Sequence, residues 1–172
     1  MKMKLTRKSL VCLMLAAFAG CASYTWKGQV PEDCRTLSVP VFENRTQAAE
    51  LGPIVTQYTL REVQREGTFK IRRSGDAALE VQGAIVKAER HPFTYDRSRG
   101  TRAKSYRYVV TAEVSVIDKR AGKVLVNNRK YVTETTFLTQ GDLLTGQRNA
   151  APRIGEELGR QIVDDLVAWQ FK

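Results

Sequence analysis

Two short stretches of this chain combine residue types with a spacing that defines a chemistry: a cysteine behind an apolar run, and a dense group of basic side chains near aromatic rings. Cys21 follows Phe18-Ala19-Gly20 at the end of an apolar run that starts at Leu10, and Lys2, Lys4, Arg7 and Lys8 precede that run. The run falls well short of the roughly 18 to 20 residues a bilayer-spanning helix needs, and small residues stand where a signal peptidase cuts. The pattern reads as an export signal, residues 1–20, whose removal leaves Cys21 as the first mature residue. Cys21 would then carry a covalent lipid anchor, a diacylglycerol thioether-linked to its sulfur together with an acyl chain of the palmitate class. One acyl chain holds marginally, whereas several, at about 0.8 kcal/mol per buried CH2, hold a protein at a membrane effectively permanently. The alternatives for the same residues are an uncleaved anchor or an ordinary secretory signal.

The second stretch holds Arg97, Arg99, Arg102, Lys104 and Arg107 within eleven residues free of any acid, preceded by Phe93 and Tyr95. Guanidinium forks grip phosphates and carboxylates bidentately, and neighbouring rings add apolar contact to acyl chains or sugar faces. An anionic headgroup is the ligand class that this combination fits. A solvated basic loop is the competing reading.

Bond-making chemistry finds little support. The one histidine, His91 before Pro92, cannot by itself supply a multi-residue zinc site. Once Cys12 leaves with the signal and Cys21 is acylated, Cys34 has no intramolecular disulfide partner and reads as a packing thiol. Asp164 and Asp165 are neighbours on a helix, about 100° apart, as on a solvated flank rather than at a metal. Neither a glycine-rich phosphate loop nor a dinucleotide fingerprint occurs. The expectation is a binding or assembly protein, not an enzyme, with no cofactor beyond the anchor on Cys21.

The elements that must position these residues form one domain. Residues 1–20 carry four of the 28 basic residues and none of the 18 acidic ones, so the remaining 152 of 172 residues hold 24 bases against 18 acids, a net of +6 rather than +10. That length suits one hydrophobic core, and a moderately basic domain sent out of the cytoplasm does not meet nucleic acid. Residues 21–34, with Tyr24, Trp26, Gly28 and Pro31, read as a short lipid-anchored linker, and 35–172 as the domain. Leu37, Val39 and Val41 alternate as a first strand, Pro40 marking an edge or bulge. A helix is expected over 53–66 with Val55, Thr59 and Val63 inward and Gly67 as its stop. Residues 69–71 and 79–85 read as strands, and 106–117 as the clearest one, with Tyr106, Tyr108, Val110, Ala112, Val114 and Val116 on its buried face. A polar turn over 118–123 leads into a strand over 124–137, where Asn127-Asn128 marks a bulge. Pro152 opens a last helix with Ile154, Leu158, Ile162, Leu166 and Trp169 in one stripe, and Gly155 and Gly159 permit close backbone approach. The order β-α-β-β-β-β-α predicts an α+β fold: two helices packed on one face of a four- to five-stranded mixed sheet.

Residues 37–46, LSVPVFENRT, resemble the LPS-assembly lipoprotein family, LptE. The similarity continues through LREVQREG and TFKI at 60–71, LEVQGAIV at 79–86, a Tyr-Asp pair, the basic loop, Tyr106-Arg107-Tyr108 and the turn DKRAGKVL at 118–125. Phe18 to Cys21 is similar to the lipobox of bacterial lipoproteins, with Phe18 where that pattern usually has Leu. Order and spacing over nearly the whole mature chain carry this resemblance. It implies an outer-membrane lipoprotein on the periplasmic side that plugs the LptD-type β-barrel and binds lipopolysaccharide during its insertion into the outer leaflet. The family's lipid-contacting positions fall around the loop that holds Arg97, Arg99 and Arg102, ahead of Lys104 and Arg107.

A different class also begins with a strand similar to VPVFENRT: the LpoB and CsgG-like lipoproteins, which activate cell-wall synthases or build secretion channels. Such an activator needs a long disordered tether to cross the periplasm. The short linker after Cys21 instead keeps the domain at the membrane surface, which favours the barrel plug.

Overall fold

The computed structural model describes residues 30–95, 103–139 and 142–168. Cys21 and its signal, Arg97, Arg99 and Arg102, and Trp169 lie outside the described residues. A single 3-10 turn, Glu32–Cys34, is followed by β1 (Thr36–Ser38), β2 (Glu43–Asn44), α1 (Leu51–Glu66), β3 (Lys70–Ile71), β4 (Leu79–Tyr95), β5 (Ala103–Asp118), β6 (Lys123–Leu138) and α2 (Leu143–Ala168). The sheet order is β3-β1-β4-β5-β6, with β2 further along β4. β1 and β2 run parallel to β4, and β4, β5 and β6 form an antiparallel meander.

The α+β fold of two helices on a mixed sheet is as expected, and the sheet has six strands because Glu43–Asn44, past the end of the expected first strand, forms a short strand of its own. Leu37 is fully buried, but the chain leaves the ladder after Ser38, Pro40 has no N–H to continue it, and Val41 is turned out to solvent. Phe42 turns back in. Its N–H donates to Thr56 Oγ1 at 2.9 Å, and its ring covers Gly83 so closely that no Cβ fits there. The Thr56 hydroxyl donates in turn to the Gly52 carbonyl at 2.8 Å, so one side chain fastens the β1–β2 connection to α1.

α1 buries Leu51, Val55, Thr59 and Val63, and Gly67 ends it at φ +80°, its N–H donating to the Val63 carbonyl at 3.1 Å. α2 starts well before Pro152. Asp142 caps it, its Oδ2 accepting from the Thr145 N–H at 3.0 Å and the Thr145 hydroxyl at 3.1 Å. Pro152 therefore lies inside the helix, which corrects its reading as the opening residue; buried Ala150, Ala151 and Ile154 around it supply packing that offsets the lost hydrogen bond. Gly155 and Gly159 do bring the helices together. A Cβ at 155 would stand 2.8 Å from Ile54 Cγ2 and Tyr58 Cδ2, and one at 159 would stand 2.9 Å from the backbone of Tyr58 and Thr59.

β5 is the spine of the sheet. Tyr108, Val110, Ala112, Val114 and Val116 are buried, while the residues between them lie on the opposite, partly exposed face. Opposite Ser115 the partner strand spends two residues, Asn127 and Asn128, on one ladder step; Asn128 sits at φ 47° and donates its N–H to Ser115 Oγ at 2.9 Å. β4 runs on past the core, exposed from Glu89 to Tyr95.

At the β5–β6 turn, Arg120 pairs with Asp33 and Asp118 and donates to Cys34 Sγ at 2.8 Å. This clamp holds residues 30–34, assigned from sequence to the linker, against the domain, with Val30 and Cys34 buried. Cys34 is a free thiol whose pKa burial pushes up. On β4, Glu80 is buried and accepts hydrogen bonds from Ser74, Gln82 and Lys119, which hold its carboxyl down to about 2.

Candidate functional groove at the far end of the sheet

The basic stretch joins β4 to β5, and those strands deliver its flanks to the end of the sheet opposite the Arg120 turn. There the end of β4, the start of β5 and the end of β6 meet the first turns of α2 around a groove of about 770 Å3. Phe93, Tyr95, Phe137 and Leu138 give it an apolar wall, and Lys104 and Arg153 give it positive charge. Phe93, Tyr95 and Leu138 are 50%, 58% and 51% exposed, so this wall stands open to water.

The groove is held open by fixed neighbours. Gly146 lets α2 lie on β6, since a Cβ there would stand 2.7 Å from Phe137 Cδ2 and 3.0 Å from the Leu138 carbonyl oxygen. Phe137 stacks on Tyr106 at 5.9 Å between ring centroids and meets Tyr108 edge-on at 6.3 Å. Below it Gln147 Nε2 donates to Tyr108 Oη at 3.3 Å and to Glu50 Oε1 at 3.4 Å. Burial pushes the Tyr108 hydroxyl up to about 12, so it stays neutral. The Thr139 hydroxyl donates to the Ala103 carbonyl at 3.0 Å and ties the start of β5 to the end of β6.

Of the basic residues singled out in the sequence, Lys104 lines the groove. Arg107 is turned elsewhere: its guanidinium covers the Phe93 ring at 4.9 Å and lies 3.8 Å from Glu134. Arg107 thereby steadies the aromatic wall rather than offering a bare cation. Arg153 is not legible as a site residue in the sequence, where it reads as part of the first turn of a helix beginning at Pro152. The long α2 carries it over the sheet to the groove instead.

Other chemistry-bearing residues lie beside charged side chains elsewhere on the domain. His91 is exposed, 3.7 Å from Glu89, and Asp165 pairs with Arg129 at 2.8 Å. Asp164 stands 3.9 Å from Arg160 on the helix flank. Among the described residues no group of three or more His, Cys, Asp or Glu side chains is placed to hold a metal ion. Among the described residues the groove presents cations at the Lys104–Arg153 rim, which suit an anion, and rings and Leu138 on the wall, which suit an apolar moiety.

No curated protein matches the chain by sequence. Its fold is shared with a Caulobacter crescentus CB15 protein assigned as a lipoprotein, at 16% identity and TM-score 0.55, covering 77% of this chain and 89% of that one. The PelC dodecamer from Paraburkholderia phytofirmans is similar at 15% identity and TM-score 0.51, covering 84% and 95%. Rare lipoprotein B from Shewanella oneidensis matches at 16% identity and TM-score 0.50, covering 77% and 94%. At such identities these likenesses concern the fold alone. The sequence adds the family: the profile of the LptE family, described as lipopolysaccharide-assembly, matches residues 34–167, from Cys34 through all six strands and nearly to the end of α2. The chain therefore belongs to the LptE family of membrane-associated lipopolysaccharide-assembly lipoproteins, which are not enzymes.

Proposed function

We propose that this protein is an outer-membrane lipoprotein, cleaved after residue 20 and anchored through Cys21 on the periplasmic side, that plugs an LptD-type β-barrel and binds lipopolysaccharide as it is inserted into the outer leaflet. The observation that carries the binding reading is the groove itself, where Lys104 and Arg153 stand beside an exposed wall of Phe93, Tyr95 and Leu138. A phosphorylated glycolipid offers both matching parts, phosphates for the cations and acyl chains for the wall. Arg97, Arg99 and Arg102, in the segment between the groove-lining ends of β4 and β5, would add further phosphate contacts. The plug reading is supported by the uncovered face of the sheet, where pairs such as Lys130–Glu113 at 3.6 Å and Arg107–Glu134 at 3.8 Å suit the polar, wet interior of a barrel.

Affinity capture of the acylated protein from outer membranes is expected to bring down a large β-barrel. Recovery of a cell-wall synthase without a barrel would reject the plug. For the groove, lipopolysaccharide retention by the purified protein is expected to fall about tenfold when Lys104 and Arg153 are both changed to Glu, and further when Arg97, Arg99 and Arg102 are reversed. Unchanged retention with intact folding would return the basic stretch to a solvated loop.

A further inference from the structure

One edge of β4 is only half covered. β1 and β2 occupy it as far as Ile85, where the Arg45 N–H donates to the Ile85 carbonyl at 2.9 Å; the chain then bends away at Thr46. From Lys87 onward β4 pairs with β5 alone among the described residues, which leaves a row of its backbone donors and acceptors facing outward. In the line that β2 vacates lies a slot of about 380 Å3, bounded by residues 86–90 of β4, residues 45–48, and Leu144 and Gln147 of α2.

Free edges are normally blunted by bulges, prolines or charge. Here the register shift falls at Val86, before the free stretch, and Pro92 ends it, so Lys87 to His91 keep an unbroken register with β5. Ala88 and the 53% exposed Leu144 give the slot slim apolar walls. Its charges are unequal. Arg45 is bridged to Glu43 and Lys87 to Glu89, whereas Arg90 makes no salt bridge among the described residues.

We infer that this slot is a strand-addition site for an extended segment of a partner protein that carries acidic side chains between small apolar ones. The β4 backbone supplies the ladder, Arg90 selects the acid by a charge-assisted hydrogen bond, and Ala88 with Leu144 admits only slim neighbours. The slot shares no residue with the lipid groove, so the inference stands apart from lipopolysaccharide binding.

The probe is the capped peptide Ser-Val-Glu-Val-Glu-Val-Ser, with a version bearing Lys for Glu as its control, titrated into the full-length protein in detergent while amide hydrogen exchange is followed. The acidic peptide is expected to slow exchange within residues 87–91 by about tenfold or more at saturation, the lysine peptide much less, and Arg90→Glu to invert that preference. Arg90→Gln, equally exposed, is expected to remove the preference without inverting it. Ala88→Tyr fills the slot and is expected to abolish protection by either peptide. The inference is overturned if neither peptide protects these amides, or if protection falls on the β6 edge. Protection that grows with protein concentration in the absence of peptide would also overturn it, by identifying a second copy as the occupant.

Discussion

Gly159 and Glu80 show how single residues carry this fold. At Gly159 a Cβ would press on the Tyr58 and Thr59 backbone at 2.9 Å, so Gly159→Ala sets an overpacking cost of about 2 to 3 kcal/mol against a helix-propensity gain of about 1. A net loss of about 1 to 2 kcal/mol in urea unfolding is expected, while Gly75→Ala, with nothing within 4 Å, should leave stability within about 0.5 kcal/mol of the parent. Glu80 predicts a pH dependence. Its folded-state pKa is lowered from 4.5 to about 2, so its contribution is complete above the unfolded value and is lost as pH falls from about 4.5 toward 2. Allowing for partial solvent screening, that contribution is roughly 2 kcal/mol, and Glu80→Gln should lower thermal stability at pH 7 while flattening the acid limb of the stability profile. The close approach at Gly155 and Gly159 could be read from sequence because two glycines in an otherwise good helix need a reason. Glu80 could not, because its partners Ser74 and Lys119 come from a loop and a turn that only the folded sheet brings together.

At the scale of elements, Pro152 is the sharpest lesson. Proline ordinarily marks a helix start, and here buried Ala150 and Ala151 on its N-terminal side hold it within α2. Pro152→Ala restores a hydrogen bond to the Arg148 carbonyl and should stabilise the protein by about 1 to 3 kcal/mol, read as a rise in unfolding midpoint. The Asn127-Asn128 bulge was legible from residue type, and Asn128→Val should cost about 1 to 2 kcal/mol where Asn128→Gly costs little, since φ 47° disfavours a β-branched side chain. The outer half of β4 was not legible. Residues 87–95 extend beyond the core and expose nearly every side chain, so no period of two was ever imposed on them. The groove shares that history: its aromatics and Lys104 stood out near the basic stretch, but Arg153 and Leu138 reach it only through the length of α2 and β6.

The whole molecule is polar in its layout. The Arg120 clamp gathers Asp33 and Cys34, where the chain arriving from Cys21 enters the domain, at one end of β5, and the groove lies at the other. Lys104→Glu at the groove end should therefore weaken lipopolysaccharide retention, whereas Lys123→Glu at the turn end should not, although both change net charge equally. Raising salt from about 0.05 to 0.5 M should weaken retention only in part, because the apolar wall is not screened.

β5 makes that separation a distance standard. Its sixteen residues, at about 3.4 Å each, measure roughly 50 Å, more than the roughly 30 Å hydrocarbon thickness of a bilayer. Under the proposed anchoring through Cys21, a body of that length would carry the groove from one leaflet as far as the other without any moving part. A four-residue deletion in step from β4 and from β5 alone would draw Phe93, Tyr95 and Lys104 back by about 13 Å from Phe137, Leu138 and Arg153, which β6 and α2 hold in place, and should therefore lower glycolipid retention by the purified protein.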